Sequence, residues 1–239
     1  MMMMMSSDSM DCSTETEEES FKSNGIEKTK ISLMRTLVET QDPSSKEVDD
    51  LTFRRFLRAR DLDVEKASAM FLKYLKWRRS FVPNGSISPS EVAQEIEQNK
   101  MFLQGSDKKG RLIAVVLAAR HFQHKGGVEE FKRQEKFVVI GDLEGWGYAN
   151  SDIRAYLAAL SLVQEYYPER LEKLFIVHAP YIFMTAWKIV YPFIDNKTRK
   201  KIVFVGNKTL KSTLLEEIDE SQLPETYGGK LPLVPIHDC

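Results

Sequence analysis

LFIVHAPYIFMTAWKIVYPFI, residues Leu174 to Ile194, is apolar enough for a bilayer interior and is built against crossing one. Its length matches the roughly 20 residues that a spanning helix needs. Pro180 and Pro192 interrupt the run, and each removes a backbone donor and blocks a continuous helix. His178 and Lys188 add polar groups inside it. The stretch therefore reads as a buried strand, LFIVH, followed by a short apolar helix. Such a helix in a soluble protein must cover something apolar, and a lipid is one candidate.

Outward from this run the same strand pattern recurs. Leu112–Leu117 (LIAVVL), Phe137–Ile140 (FVVI), Leu174–Val177 (LFIV) and Ile202–Val205 (IVFV) are short, continuously apolar and rich in branched residues. Runs of this kind fit strands buried on both faces. A helix is expected from about Ser151 to Tyr167, with Ile153, Tyr156, Leu157, Leu160 and Val163 on one face. Alternating strands and helices predict an α/β fold with a largely parallel sheet and crossover helices.

Before Met101 the apolar period is helical. Ile31, Met34, Leu37 and Val38 form one stripe, Leu51, Phe56 and Leu57 begin another, and Val64, Ala67, Phe71, Tyr74 and Leu75 form a third. Asp63 is placed as an N-cap, and Ser88-Pro89-Ser90-Glu91 reads as a capping box with proline at the first helical position. Residues 1–23 are acidic, rich in Ser and Thr and poor in branched apolar residues, which predicts a disordered tail. The expected organisation is this tail, a helical subdomain over 24–100, and the main domain over 101–239.

Apolar content of 42% and charged content of 29% suit a globular protein. Cys12 and Cys239 lie in the tail and at the last position, where neither can staple a core, as in a reducing compartment. The start MMMMMSSDSM has no basic region and no long apolar region, so no signal peptide is expected. A cytoplasmic protein with only peripheral membrane contact follows. The first 50 residues hold 5 Lys and Arg against 12 Asp and Glu, and the remainder holds 29 against 23. A basic body suits transient contact with anionic leaflets, where each nearby cation contributes about 1 kcal/mol, although ordinary solvated charge gives the same count. No nucleic-acid motif accompanies these residues.

Enzyme signatures are missing from the sequence: there is no G-x-S-x-G, P-loop or H-E-x-x-H pattern. Gly141-Asp142-Leu143-Glu144-Gly145-Trp146-Gly147 follows a strand, but its glycine spacing does not match a phosphate-cradling loop. His121 and His124 lack further well-placed ligands, so no metal and no cofactor are expected.

The flanks of the opening run carry a family pattern. Upstream stands Gln164-Glu165-Tyr166-Tyr167-Pro168-Glu169-Arg170, and downstream Asp195-Asn196-Lys197-Thr198-Arg199-Lys200-Lys201-Ile202. With Leu51–Phe81 (LTFRRFLRARDLDVEKASAMFLKYLKWRRSF) and Leu223–Gly229 (LPETYGG), they run in order over about residues 50–232. The chain resembles the CRAL-TRIO lipid-binding domain, of the phosphatidylinositol transfer protein type. The resemblance implies a CRAL-TRIO fold with a gated lipid cavity behind a small helical N-terminal subdomain. It also implies a carrier that binds phosphatidylinositol and transfers it between membranes or presents it to a lipid kinase, as a monomer and without catalysis. A carrier of a sterol, an isoprenoid or haem, and a regulatory scaffold, are the alternatives.

By the same resemblance, Arg60, Glu169, Thr198 and Lys201 bind the inositol phosphate headgroup. The helix from about Tyr181 to Ile194 is the gate, with Phe183, Met184, Trp187, Ile189, Val190 and Phe193 against the acyl chains. Periodicity by itself does not separate this gate from a buried core helix. Where the family carries small hydroxyl residues for a phosphocholine phosphate, this chain has Phe137 and Val139, and Ala114 stands where a tyrosine often does. Without those donors and that ring, phosphatidylcholine is not expected to bind efficiently.

Overall fold

A computed structural model describes residues 12–84, 88, 93, 97–120 and 136–234, with residues 12–23 described by backbone alone. The capping box at Ser88–Glu91 and the histidines at 121 and 124 fall largely or wholly outside these residues. The chain packs as two compact units divided between Trp77 and Arg78, earlier than the change of period at Met101.

The first unit is helical. Helix α1 spans Cys12–Gln41, α2 spans Asp50–Ala59 and α3 starts at Val64 and runs to Phe81. The helix begins inside the stretch expected to be a disordered tail. Its start is rich in glutamate, a good helix former whose charge is favoured near a helix N-terminus. Ile31, Met34 and Val38 are buried with Phe53, Phe56 and Phe71, while Leu37, placed with them by period, is exposed. Asp63 Oδ1 accepts from Lys66 N–H at 3.0 Å and caps α3 as its position predicted. Glu27 is buried in this unit because Arg58 meets it with two hydrogen bonds, at 2.6 and 3.0 Å.

The second unit is built on a five-stranded sheet in the order β1-β2-β3-β4-β5. These are Met101–Ser106, Leu112–Leu117, Phe137–Asp142, Leu171–Val177 and Ile202–Phe204. β1 pairs antiparallel with β2, and the other neighbours are parallel. Helix α4 (Ile153–Tyr166) connects β3 to β4, α5 (Phe183–Val190) and α6 (Asn196–Arg199) connect β4 to β5, and α7 (Leu210–Glu217) follows the sheet. The parallel strands advance in one direction, so right-handed crossovers place α4 and α5 on the same face. No described helix is long and apolar enough to cross a membrane. The run Leu174–Ile194 is instead the end of β4, a turn and α5.

The two faces of the sheet are packed differently. On one, Ile113, Val115, Val138, Ile140, Phe175 and Val177 join Leu214, Ile218, Leu223 and Tyr227 in a closed core. The glycine pair after Leu223 makes this wrap possible. Gly228 has φ +84°, and a Cβ on Gly229 would lie 1.9 Å from the Leu223 carbonyl oxygen. On the other face, Leu174, Ile176 and Ile202 meet Ile153 and Tyr156 of α4 and Phe183, Ala186 and Trp187 of α5. Here only a few side chains are fully buried: α4 has none and α5 has Ala186 alone.

Candidate functional site

Glu169 stands just before β4 and Lys201 just before β5, so adjacent parallel strands bring them to the same end of the sheet. Lys201 Nζ donates to Glu169 Oε2 at 3.1 Å, with the two side chains 21% and 15% exposed. Glu169 adopts φ +56°, which is uncommon for a residue with a Cβ. Its successor is fixed by the Phe137 amide, which donates to the Arg170 carbonyl at 2.8 Å.

Thr198 joins this pair through the short helix α6. Asp195 caps that helix, its Oδ1 accepting from Thr198 N–H at 2.9 Å and its Oδ2 from the Thr198 hydroxyl at 2.6 Å. The Lys201 amide donates to the Thr198 carbonyl at 3.0 Å. Burial alone would raise the Asp195 carboxyl. The Thr198 hydroxyl and amide, the Lys197 amide and the Lys201 charge outweigh it and hold the group below the ordinary carboxylate range. The cluster thus offers a cation, a hydroxyl donor and a carboxylate, each paired internally in this state. Arg60 belongs to the first unit, where it ends α2 and its Nη1 donates to the Ala59 carbonyl at 3.1 Å.

The gate expected over Tyr181–Ile194 is a shorter α-helix, Phe183–Val190, followed by a 3₁₀ turn over Tyr191–Phe193. Pro192 removes the donor that a longer helix would need. Phe183, Met184, Trp187 and Val190 are half-buried. Ile189 and Phe193, expected on the lipid-facing surface with them, are 48% and 60% exposed. At 100° per residue Ile189 is turned well away from the side that carries Phe183, Trp187 and Val190, and Phe193 lies beyond the helix in the 3₁₀ turn. Phe183 meets Trp146 edge-on at 5.3 Å, and Trp187 meets Phe204 edge-on at 5.1 Å.

The floor beneath these helices includes the positions that lack hydroxyls. Ala114 and Val139 are direct partners across β2 and β3, and both lie opposite in parity to the residues of the closed core. They add an apolar surface and no donor. Phe137 is buried.

At the other end of the strands a polar brace fixes the turn that leads into α5. Asp142 is buried and accepts from the Tyr227 hydroxyl and the Glu144 amide, each at 2.9 Å. His178 Nδ1 lies 2.9 Å from Asp142 Oδ1 and donates to it, since a carboxylate can only accept. Burial and the Asp142 charge push the Tyr227 phenol far above its usual range. Asp142, Glu144 and His178 have the donor types of a metal site and lie within 4.8 Å of one another. Both Asp142 oxygens are already occupied by protein donors, so the group acts as a brace.

Sequence reasoning quoted Gln164, Asp142, His178 and Tyr227 inside motifs and assigned none of them a partner. One signal was available for Asp142, because an acid ending an apolar strand must find donors when buried.

The CRAL/TRIO domain family model matches residues 96–229, and the CRAL/TRIO N-terminal domain model matches residues 15–73. The Sec14 cytosolic factor of Schizosaccharomyces pombe is 30% identical over 220 residues, covering 76% of this chain and 75% of that protein. The phosphatidylinositol/phosphatidylcholine transfer protein SFH12 of Arabidopsis thaliana is 32% identical over 221 residues, covering 77% of this chain and 40% of that longer protein. The crystal structure of Sfh5 superposes with a TM-score of 0.54 at 18% identity, covering 95% of each chain.

Proposed function

This chain belongs to the CRAL/TRIO family, and we propose that it binds phosphatidylinositol and transfers it between membranes or presents it to lipid-modifying enzymes. The observation that carries the reading is the contrast between the two faces of the sheet. One face is closed by a packed core, while α4 and α5 cover the other without burying their apolar side chains completely. A charged and hydroxyl-bearing cluster stands at the edge of that incompletely packed face. Apolar tails fit the first feature and a phosphorylated polyol fits the second.

Energetics demand such a chamber. A diacyl lipid has about 30 methylene groups at about 0.8 kcal/mol each, so release into water is prohibitive and the gate must open at a membrane. Tyr181, Ile189 and Phe193 are exposed along the gate, at 93%, 48% and 60%, and the exposed Lys188, Lys197 and Lys200 lie close to them in the chain. We take this to be the surface that meets an anionic cytoplasmic leaflet, with the protein acting as a monomer. Lys201 and Thr198 serve the phosphate and Glu169 serves the inositol hydroxyls. No bond is made or broken in this function. Phe137 and Val139 leave a phosphocholine phosphate without donors and Ala114 supplies no ring for the choline, so phosphatidylinositol is bound and phosphatidylcholine is not bound efficiently.

The test is incubation with total membrane extract, repurification and mass spectrometry of the bound lipid. Phosphatidylinositol enrichment that disappears in Lys201→Ala and Glu169→Ala supports the proposal. Enrichment unchanged by both substitutions, or equal transfer of phosphatidylcholine, overturns it.

A further inference from the structure

The gate has two ends, and the structure holds them differently. Its entry is fixed by His178 against Asp142. Its exit is held by Gln164, a side chain from α4 that stands 31 residues upstream of Asp195. Gln164 Oε1 accepts from the Asp195 amide at 2.8 Å, and Gln164 Nε2 donates to the Phe193 carbonyl at 3.1 Å. One carboxamide thus spans the backbone on either side of Ile194, which is buried. The amide orientation is forced, since a backbone N–H can only donate and a carbonyl can only accept. The contact is also placed to communicate. Asp195, whose amide Gln164 holds, is the residue whose carboxylate holds Thr198.

We propose that Gln164 is the latch of the gate, a positioning residue that clasps the gate exit to α4 and links its release to the headgroup cluster. This rests on the reading of α5 as a gate over bound phosphatidylinositol. In the latched state the Gln164 carboxamide satisfies two backbone groups that would otherwise face solvent or the site. When a phosphate takes the Thr198 hydroxyl, Asp195 loses one of its donors and the turn that Gln164 clasps is rebuilt. Arg199 supports the same exit independently, donating to the Pro192 carbonyl at 3.0 Å and lying 4.4 Å over the Tyr191 ring.

The experiment compares the full-length chain with Gln164→Leu and Gln164→Glu. Leucine and glutamate are both good helix formers, so α4 is not weakened by propensity. Leucine removes both hydrogen bonds, whereas glutamate keeps the acceptor for Asp195 N–H and loses the donor to Phe193. Three readouts are taken: amide exchange over residues 191–196, acrylamide quenching of tryptophan emission with a Trp187→Phe control, and transfer of pyrene-labelled phosphatidylinositol between vesicles. Exchange over the exit turn is expected to quicken about tenfold in Gln164→Leu, as two solvent-accessible hydrogen bonds would give. Trp187 becomes more accessible, transfer changes severalfold, and Gln164→Glu falls between.

Unchanged exchange in Gln164→Leu overturns the latch. So does faster exchange with Trp187 quenching and vesicle transfer both at wild-type values, since that marks a local turn contact only. Failure of the wild-type chain to move phosphatidylinositol, with exchange and Trp187 accessibility both raised in Gln164→Leu, overturns the lipid reading and leaves the latch standing.

Discussion

Glu169→Gln separates the two halves of the proposed headgroup site. In the free protein the Glu169 carboxylate occupies Lys201 at 3.1 Å, and at an effective dielectric of about 20 the gross attraction is roughly 5 kcal/mol. Most of that offsets desolvation, so the pair's net contribution to stability is far smaller, about 1 kcal/mol. A phosphate approaching Lys201 must compete with this internal anion. An inositol ring, by contrast, gains an acceptor from it. The substitution therefore shifts selectivity between two ligands, since both phosphates gain a freer Lys201 and only the inositol ring loses a charged acceptor. Phosphatidylinositol exchanges a charged acceptor for a neutral amide oxygen, a loss of about 1–1.5 kcal/mol, or about tenfold in affinity. Phosphatidic acid has the phosphate without the ring, loses nothing, and binds more tightly because its competitor has been neutralised. The assay is competition between the two lipids in mixed vesicles, read by mass spectrometry of what the repurified protein carries, with thermal unfolding alongside. Selectivity for phosphatidylinositol is expected to fall by at least about tenfold. Equal weakening of both lipids would make Glu169 a structural residue, and unchanged selectivity would remove it from the site.

Three further outcomes follow from the geometry. Tyr227→Phe withdraws a buried donor from Asp142 and is expected to cost about 1.5–3 kcal/mol in chemical denaturation. Tyr181→Ser combined with Phe193→Ser changes exposed positions only; capture by anionic vesicles should drop while stability moves by no more than about 0.5 kcal/mol. For pH, burial works to raise the carboxyls of Asp107 and Glu172, but Arg111 holds Asp107 low, and Lys136 with Arg111 does the same for Glu172; Asp195 is depressed as described. Depressed carboxylates stabilise the fold fully above about pH 5 and lose that contribution as pH falls through their folded values. Melting temperature should therefore decline below about pH 4, and Asp107→Asn should flatten that decline; an acid limb as steep as that of the wild type would show that Asp107 does not carry it.

What the sequence revealed and what it hid divide on physical lines. β2 to β5 were legible because strands buried on both faces leave unbroken apolar runs. β1 was not, because MFLQGS mixes polar residues into an edge strand and bends at Gly105, where φ is +75°. The cluster of Glu169, Thr198 and Lys201 was legible because they sit in continuous motifs, Glu169 and Lys201 just before strands and Thr198 in the short helix between. Its locks were hidden: Gln164 meets the gate 31 residues away, and Tyr227 meets Asp142 85 residues away. Chain proximity says nothing about such pairs until the topology is known. The apolar segment Tyr181–Ile194 was legible, but its exposed residues Ile189 and Phe193 were not separable from its half-buried ones until the helix was seen to end at Val190.

The division of the sheet into two faces also bears on how the proposed gate would move. A gate that carried much of the core could not swing without unfolding the domain, because stability is only about 5–15 kcal/mol in total. Here the fully buried Ile113, Ile140, Leu214, Ile218 and Leu223 all belong to the opposite face. α5 contributes only Ala186 among its buried residues. Large side chains on the gate, Phe183 and Trp187, are stacked on one another at 6.1 Å and only half-buried, so moving them forfeits contacts already incomplete. The brace at His178 is anchored to the closed face through Asp142 and Tyr227, and the exit is held by exposed hydrogen bonds from Gln164 and Arg199 and by Arg199 over the Tyr191 ring. The end built from the weaker contacts is the one beside the headgroup cluster. On the proposed function, opening is cheapest at the end where the ligand's phosphate would arrive, and the fold's stability is kept on the closed face.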